Sequence, residues 1–201
     1  MQEQHISINT NSIEELAQLV KVIDPGLSFI KDLHPDGSTC RTLLVDQRGI
    51  ERSLKVRKVS NNVWDDTYFY YEIHALRRVE ERNIENVTHL VTEYKTDKYH
   101  AILKSFATGT PCNTLDCERL LKDFEFIKKL DALYLKLHLA GIAKIHFQPR
   151  KIVIGPDEEL TLVDLSTCIV NTECGIQLFS QEMRADSRFI TRLEKIARKA
   201  A

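Results

Sequence analysis

The chain has 201 residues, 43% of them hydrophobic and 28% charged, a composition suited to one globular domain or one domain with a small appendage. That excludes a disordered chain, a collagen-like repeat and a disulfide scaffold. The formal net charge of −1 leaves no global field to draw the chain to nucleic acid or an anionic surface, so no nucleic-acid partner is expected. Five cysteines (Cys40, Cys112, Cys117, Cys168 and Cys174) show no C-x-x-C spacing and no His pair nearby, which points to reduced thiols rather than a zinc site. Residues 1–20 lack a basic segment followed by an apolar one. The most apolar helical stretch is broken by Asp131, Lys136, His138 and Lys144. The expectation is a cytoplasmic protein without a transmembrane segment.

Ser12-Ile13-Glu14-Glu15 has the form of a capping box, and Leu16, Leu19, Val20 and Ile23 follow at helical spacing. This predicts a short amphipathic helix ending before Asp24-Pro25-Gly26. Three strands follow, over 27–33, 41–46 and 50–59, joined through Pro35-Asp36-Gly37 and Gln47-Arg48-Gly49 with the spacing of an antiparallel meander. Over 65–82 the period changes: Phe69, Ile73, Leu76 and Val79 predict a helix capped by Asp65 or Asp66. Two more strands, 87–94 and 99–106, lead into a loop over 107–113. The longest periodic stretch, 116–142, predicts a single helix stopped by Gly141. Short strands at 151–154 and 160–165 flank Gly155-Pro156-Asp157, and a tail helix covers 181–199. On that tail Phe189, Leu193 and Ile196 share one face. Arg184, Arg188, Arg192, Lys195, Arg198 and Lys199 outnumber Glu182, Asp186 and Glu194 on another.

Four segments place reactive side chains on these elements. Lys55 sits in the strand Ser53-Leu54-Lys55-Val56, and Glu72 lies on the following helix in Tyr70-Tyr71-Glu72-Ile73. Leu137-His138-Leu139-Ala140-Gly141-Ile142 closes the long helix, and Leu162-Val163-Asp164-Leu165-Ser166 brings Asp164 out of an apolar strand. Singly, each is commonplace: a strand Lys is ordinarily solvated, a helix Glu is ordinarily a surface carboxylate, and an Asp after a turn is often an N-cap. In this order they resemble the protein-kinase-like superfamily, with Lys55 at the lysine of V-A-I-K, Glu72 at its helix partner and Asp164 at the metal-binding D-F-G.

The resemblance implies an α+β, two-lobed protein-kinase-like fold. It would comprise an N-terminal helical extension (1–26), a small β-rich N-lobe with one αC-type helix (27–106), and a reduced helical C-lobe with a basic C-terminal helix (107–201). The short stretch after Asp164 and the tail pattern Arg184, Asp186, Arg188-Phe189 and Leu193 are similar to a compact bacterial branch. That branch contains the lipopolysaccharide-core (Kdo and heptose) sugar kinases and the "toluene tolerance" proteins. The resemblance further implies ATP and Mg²⁺ as cofactors. Lys55 would contact the α- and β-phosphates, Glu72 would hold Lys55, Asp164 would ligate the metal, and Gly37 would form the remnant of a Gly-rich loop. Leu103, Lys104 and Ser105 would lie beside the adenine.

The catalytic loop departs from the family pattern. In Lys144-Ile145-His146-Phe147-Gln148-Pro149-Arg150-Lys151, His146 stands at the position of the catalytic Asp, Lys151 at that of the second-metal Asn, and Lys144 at that of the leading His. Losing the Asp removes general-base help typically worth about 10²–10⁴-fold. The leading expectation is therefore a pseudokinase-like regulatory or binding module that binds ATP with one metal. Two alternatives stay open. One is a weak ATP-dependent phosphotransferase acting on a sugar, a lipid-linked sugar or another small hydroxyl compound, with neutral His146 accepting a proton and Lys151 neutralising phosphate. The other is a scaffold that meets a protein partner or a membrane surface through its basic tail helix.

Overall fold

The computed structural model describes residues 12–33, 40–59 and 63–200. They form an α+β structure in two compact units. The first takes in the chain up to Asp66 together with Leu90–Phe106, the second Thr67–His89 together with everything from Ala107.

In the first unit the Ser12 hydroxyl accepts the Glu15 N–H and starts helix α1 (Ile13–Ile23), as the capping box predicts. Strands β1 (Leu27–Asp32), β2 (Arg41–Gln47) and β3 (Ile50–Lys58) form the expected meander. The β2–β3 turn is a two-residue one, with Arg48 at φ 57° and Gly49 at φ 82°, a left-handed pair that matches the twist of the strands it joins. After helix α2 (Val63–Glu81), strands β4 (Leu90–Lys95) and β5 (Tyr99–Ser105) complete an antiparallel sheet of order β1-β2-β3-β5-β4. Leu16, Leu19, Val20 and Ile23 of α1 pack with Leu43, Leu54, Val56 and Leu103 of the sheet in one buried cluster.

Tyr94 ties α1 to the far edge strand. Its hydroxyl donates to Asp24 Oδ2 at 2.7 Å, and Gly26 N–H donates to Asp24 Oδ1 at 2.7 Å. These two bonds hold the Asp24 carboxyl below its usual range, while desolvation and the adjacent carboxylate push the Tyr94 phenol up. A depressed carboxyl stabilises the fold above its unfolded value of about 4 and loses that contribution as pH falls through the folded one. A raised phenol contributes fully below about pH 10 and less at higher pH. Tyr94→Phe should therefore cost about 1 kcal/mol near neutrality. In urea titrations the difference from wild type should shrink at pH values below about 4. A difference that held constant into acid would separate the hydrogen bond from the ionisation.

The second unit begins within α2, at Thr67. The helix starts at Val63, earlier than its period suggested, so Asp65 and Asp66 lie in its first turn rather than at its cap. Beyond β5 come β6 (Thr110–Pro111), a 3₁₀ turn (Cys112–Thr114) and α3 (Cys117–Leu120). The long helix expected over 116–142 is broken. Asp123 accepts the Glu125 and Phe126 N–H groups and caps a new helix, α4 (Phe124–Leu139), because a short acidic side chain satisfies orphan amides better at a cap than inside a helix. Gly141, at φ 81°, turns the chain into β7 (Ile142–Ala143), and a Cβ there would lie 2.7 Å from the Asn171 side chain.

Next come a 3₁₀ turn (Pro149–Lys151), β8 (Ile152–Ile154), β9 (Leu160–Leu162), β10 (Ile169–Val170), α5 (Asn171–Cys174) and α6 (Ile176–Ala200). Strand β10 pairs with β7, and β6-β8-β9 form a three-stranded sheet. Val87 adds a parallel bridge to Leu162, with Thr88 N–H on the Leu162 carbonyl and Leu162 N–H on that of Asn86. No helix among the described residues is long and apolar enough to cross a membrane. Cys40, Cys112, Cys168 and Cys174 are free thiols.

Candidate functional site

Chemistry-bearing groups of the second unit lie along the chain from the end of α4 through β7 to the 149–151 turn, and on α6. Lys144 at φ 60° and His146 at φ 37° are both left-handed without being glycine, a costly backbone that persists where its surroundings over-determine it. Between them, Ile145 N–H donates to both carboxylate oxygens of Asp186, at 3.2 Å each. His138 Nε2 lies 3.1 Å from Asp186 Oδ2. Asp186 is buried on α6, so one carboxylate clamps the end of α4 and the loop after β7 onto that helix. Phe147 stacks on Phe189 of α6, with ring centroids 5.7 Å apart, and fixes the loop's other side.

The loop then delivers Lys151. Its side chain is only 4% exposed, and its ammonium donates to Thr167 Oγ1 at 3.0 Å and lies 3.7 Å from Asp164 Oδ2. Val163 N–H bonds the Lys151 carbonyl at 2.8 Å and so fixes the strand end that carries Asp164. The Asp164 carboxylate is 29% exposed, and its Oδ1 accepts the Ser166 N–H at 2.8 Å. A buried ammonium is tolerated because it is paired and hydrogen-bonded. Neighbouring Cys168 is fully buried, and burial pushes its thiol far up, so it carries no thiolate at neutral pH.

The structure thus brings Lys151 and Asp164 together, two positions singled out from the sequence. His146, in the loop before Lys151, is exposed. In the first unit Lys55 lies in β3 opposite Ile102, and its neighbour Leu54 faces Leu103 of β5. Leu103 and Lys104 are buried and Ser105 is partly so. Glu72 is fully buried on α2, in the second unit. Gly37 lies outside the described residues.

Asp186 changes role. The sequence pattern places it among the acids of the basic face, but it sits on the buried one, in phase with Phe179, Ile190, Leu193 and Ala197. That phase is legible: a carboxylate at an apolar position of an amphipathic helix needs a buried donor. Ile196 moves the other way and is exposed.

A Mg²⁺ site needs several oxygen ligands in near-octahedral geometry. Here one carboxylate is available, with one oxygen on a backbone N–H and the other facing an ammonium. No group of three or more His, Cys, Asp or Glu among the described residues could hold a metal. Asp164 is thus a single carboxylate with an ammonium beside it, where a Mg²⁺ bound with a nucleotide would draw its remaining ligands from water and phosphate.

No protein-family model matches the chain, and no curated protein matches it in sequence.

Proposed function

We propose that this is a compact protein of two-lobed, kinase-like fold that binds ATP as a pseudokinase-like module and transfers no phosphate. The observation that carries the reading is the Lys151–Asp164 pair. In the resemblance these are the positions of two metal-binding side chains, and one of them is here a cation itself. An ammonium neutralises phosphate charge without a metal. Phosphate contacts are assigned to Lys151, which carries its ammonium beside Asp164. The missing catalytic carboxylate supports the same reading, since exposed His146 carries no orienting partner among the described contacts.

Thermal-shift titration tests it. ATP at about 100 times its Kd adds about 2.7 kcal/mol, a rise of roughly 5–10 °C for a chain of this size. The rise should be the same in Mg²⁺ and in EDTA, with no ADP released. No rise at millimolar ATP sinks nucleotide binding. ADP release that requires Mg²⁺ and vanishes in Asp164→Ala would instead favour a slow phosphotransferase.

A further inference from the structure

Helix α6 presents two opposed faces. Phe179, Asp186, Ile190, Leu193 and Ala197 are buried on one. On the other, Arg184, Arg188, Arg192, Lys195, Arg198 and Lys199 recur at helical spacing and are all exposed. They cover about 22 Å of helix at 1.5 Å per residue. Glu182 and Glu194 sit part-buried at the margins, so the outward arc holds cations and no carboxylate. None of the six makes an ion pair among the described residues. On a chain of net charge −1 this is a concentrated local field.

The arc is bordered by apolar side chains. The Arg198 guanidinium lies 5.5 Å from the centre of the Phe124 ring, and His138 meets Asp186, so α4 runs antiparallel beside α6. Phe124, Lys128, Leu135 and Leu139 follow one another along a single stripe of α4 by their spacing. That stripe adjoins the basic arc, with Leu135 56% and Leu139 78% exposed. Ile196 and Leu178, both exposed, border the arc on its other side.

We infer that this face of the second unit docks on an anionic lipid bilayer, with the six cations over the headgroups and the flanking leucines and isoleucine in the interface. Charge complementarity selects an anionic surface. The leucines select a lipid one, because a nucleic-acid backbone would leave them facing water and phosphate. The helix is already packed by its apolar side, so it lies on the surface and does not insert that side.

The test is co-sedimentation of the full chain with vesicles of phosphatidylcholine alone and of phosphatidylcholine with an equal part of phosphatidylglycerol. Binding should appear only with the anionic vesicles, at about 0.1 M salt, and fall steeply in higher salt. Each basic side chain at such a surface is worth about a fivefold change in partitioning, so the triple variant Arg184→Gln, Arg188→Gln, Arg192→Gln should lose on the order of a hundredfold. These side chains are exposed, and an unchanged melting temperature confirms that the variant is folded. Leu135→Ser with Leu139→Ser should weaken vesicle binding while leaving the salt dependence intact. Equal binding to both vesicle types, or full binding by the triple variant, overturns the inference. So does tighter binding to a single-stranded oligonucleotide than to the anionic vesicles, which would make the face a phosphate-backbone site.

Discussion

Replacing Asp186 with Ala should destabilise the second unit by about 2–3 kcal/mol, the range for leaving buried polar groups without their hydrogen-bond partner. The carboxylate accepts the Ile145 N–H on both oxygens and meets His138 Nε2, and both side chains are nearly inaccessible. Truncation leaves a buried amide without an acceptor and an imidazole without its hydrogen-bond partner. It also releases the carboxylate clamp between α6 and the left-handed backbone at Lys144 and His146, leaving the Phe147–Phe189 stack. Asp186→Asn keeps the shape and one acceptor for the Ile145 amide, so it should cost about 1–2 kcal/mol. Urea titration followed by circular dichroism reads both variants. A loss below about 1 kcal/mol in Asp186→Ala would mean that water replaces the carboxylate at no cost, and the clamp would not be structural.

If the site binds ATP as proposed, Lys151→Asn should turn metal-independent nucleotide binding into metal-dependent binding. In the wild type the ammonium 3.7 Å from Asp164 occupies the carboxylate electrostatically, and a divalent cation must compete with it. The amide removes that competitor and adds an oxygen donor of the kind Mg²⁺ accepts. The thermal shift by ATP, expected at roughly 5–10 °C with or without metal in the wild type, should need Mg²⁺ in the variant. Lys151→Met supplies neither charge nor ligand and should lose the shift under both conditions. The Thr167 hydroxyl that loses its donor is part-exposed, so water can replace it and the Met variant should remain folded. An ATP shift retained by Lys151→Met in EDTA would show that the phosphates are held elsewhere.

What could be read from the sequence was what is local. Helix α1 follows from its cap and stripe, and the β2–β3 hairpin from Arg48-Gly49, because both are decided within a few residues. The break before α4 escaped periodicity. Leu120, Leu121, Phe124 and Ile127 keep helical spacing across it, and only the capping preference of Asp123 marks the interruption. Strands β7 and β10 are two residues each and are defined by one another across a distance in sequence, so no local pattern announces them. Within the site, Lys151 and Asp164 could be singled out by position. Their pairing could not, because an ion pair between a turn and a strand end depends on register set by the Val163–Lys151 backbone bond. Asp186 left a trace in its helical phase, although its partners on α4 and the following loop left none.

The parallel bridge from Val87 to Leu162 has a consequence for the order in which the chain becomes structured. Thr88 reaches the carbonyl of Val163, a partner 75 residues downstream. At about 5–20 residues per second, a ribosome needs roughly 4–15 s to supply that stretch. In the meantime the first unit acquires β4 and β5 and can close its sheet, while α2 has been made but lacks the strand that receives its trailing segment. The first unit can therefore mature early and the second only near the end of synthesis. For the same reason a fragment starting at Ala107 would be a unit missing its first helix, with the outer edge of β9 left open.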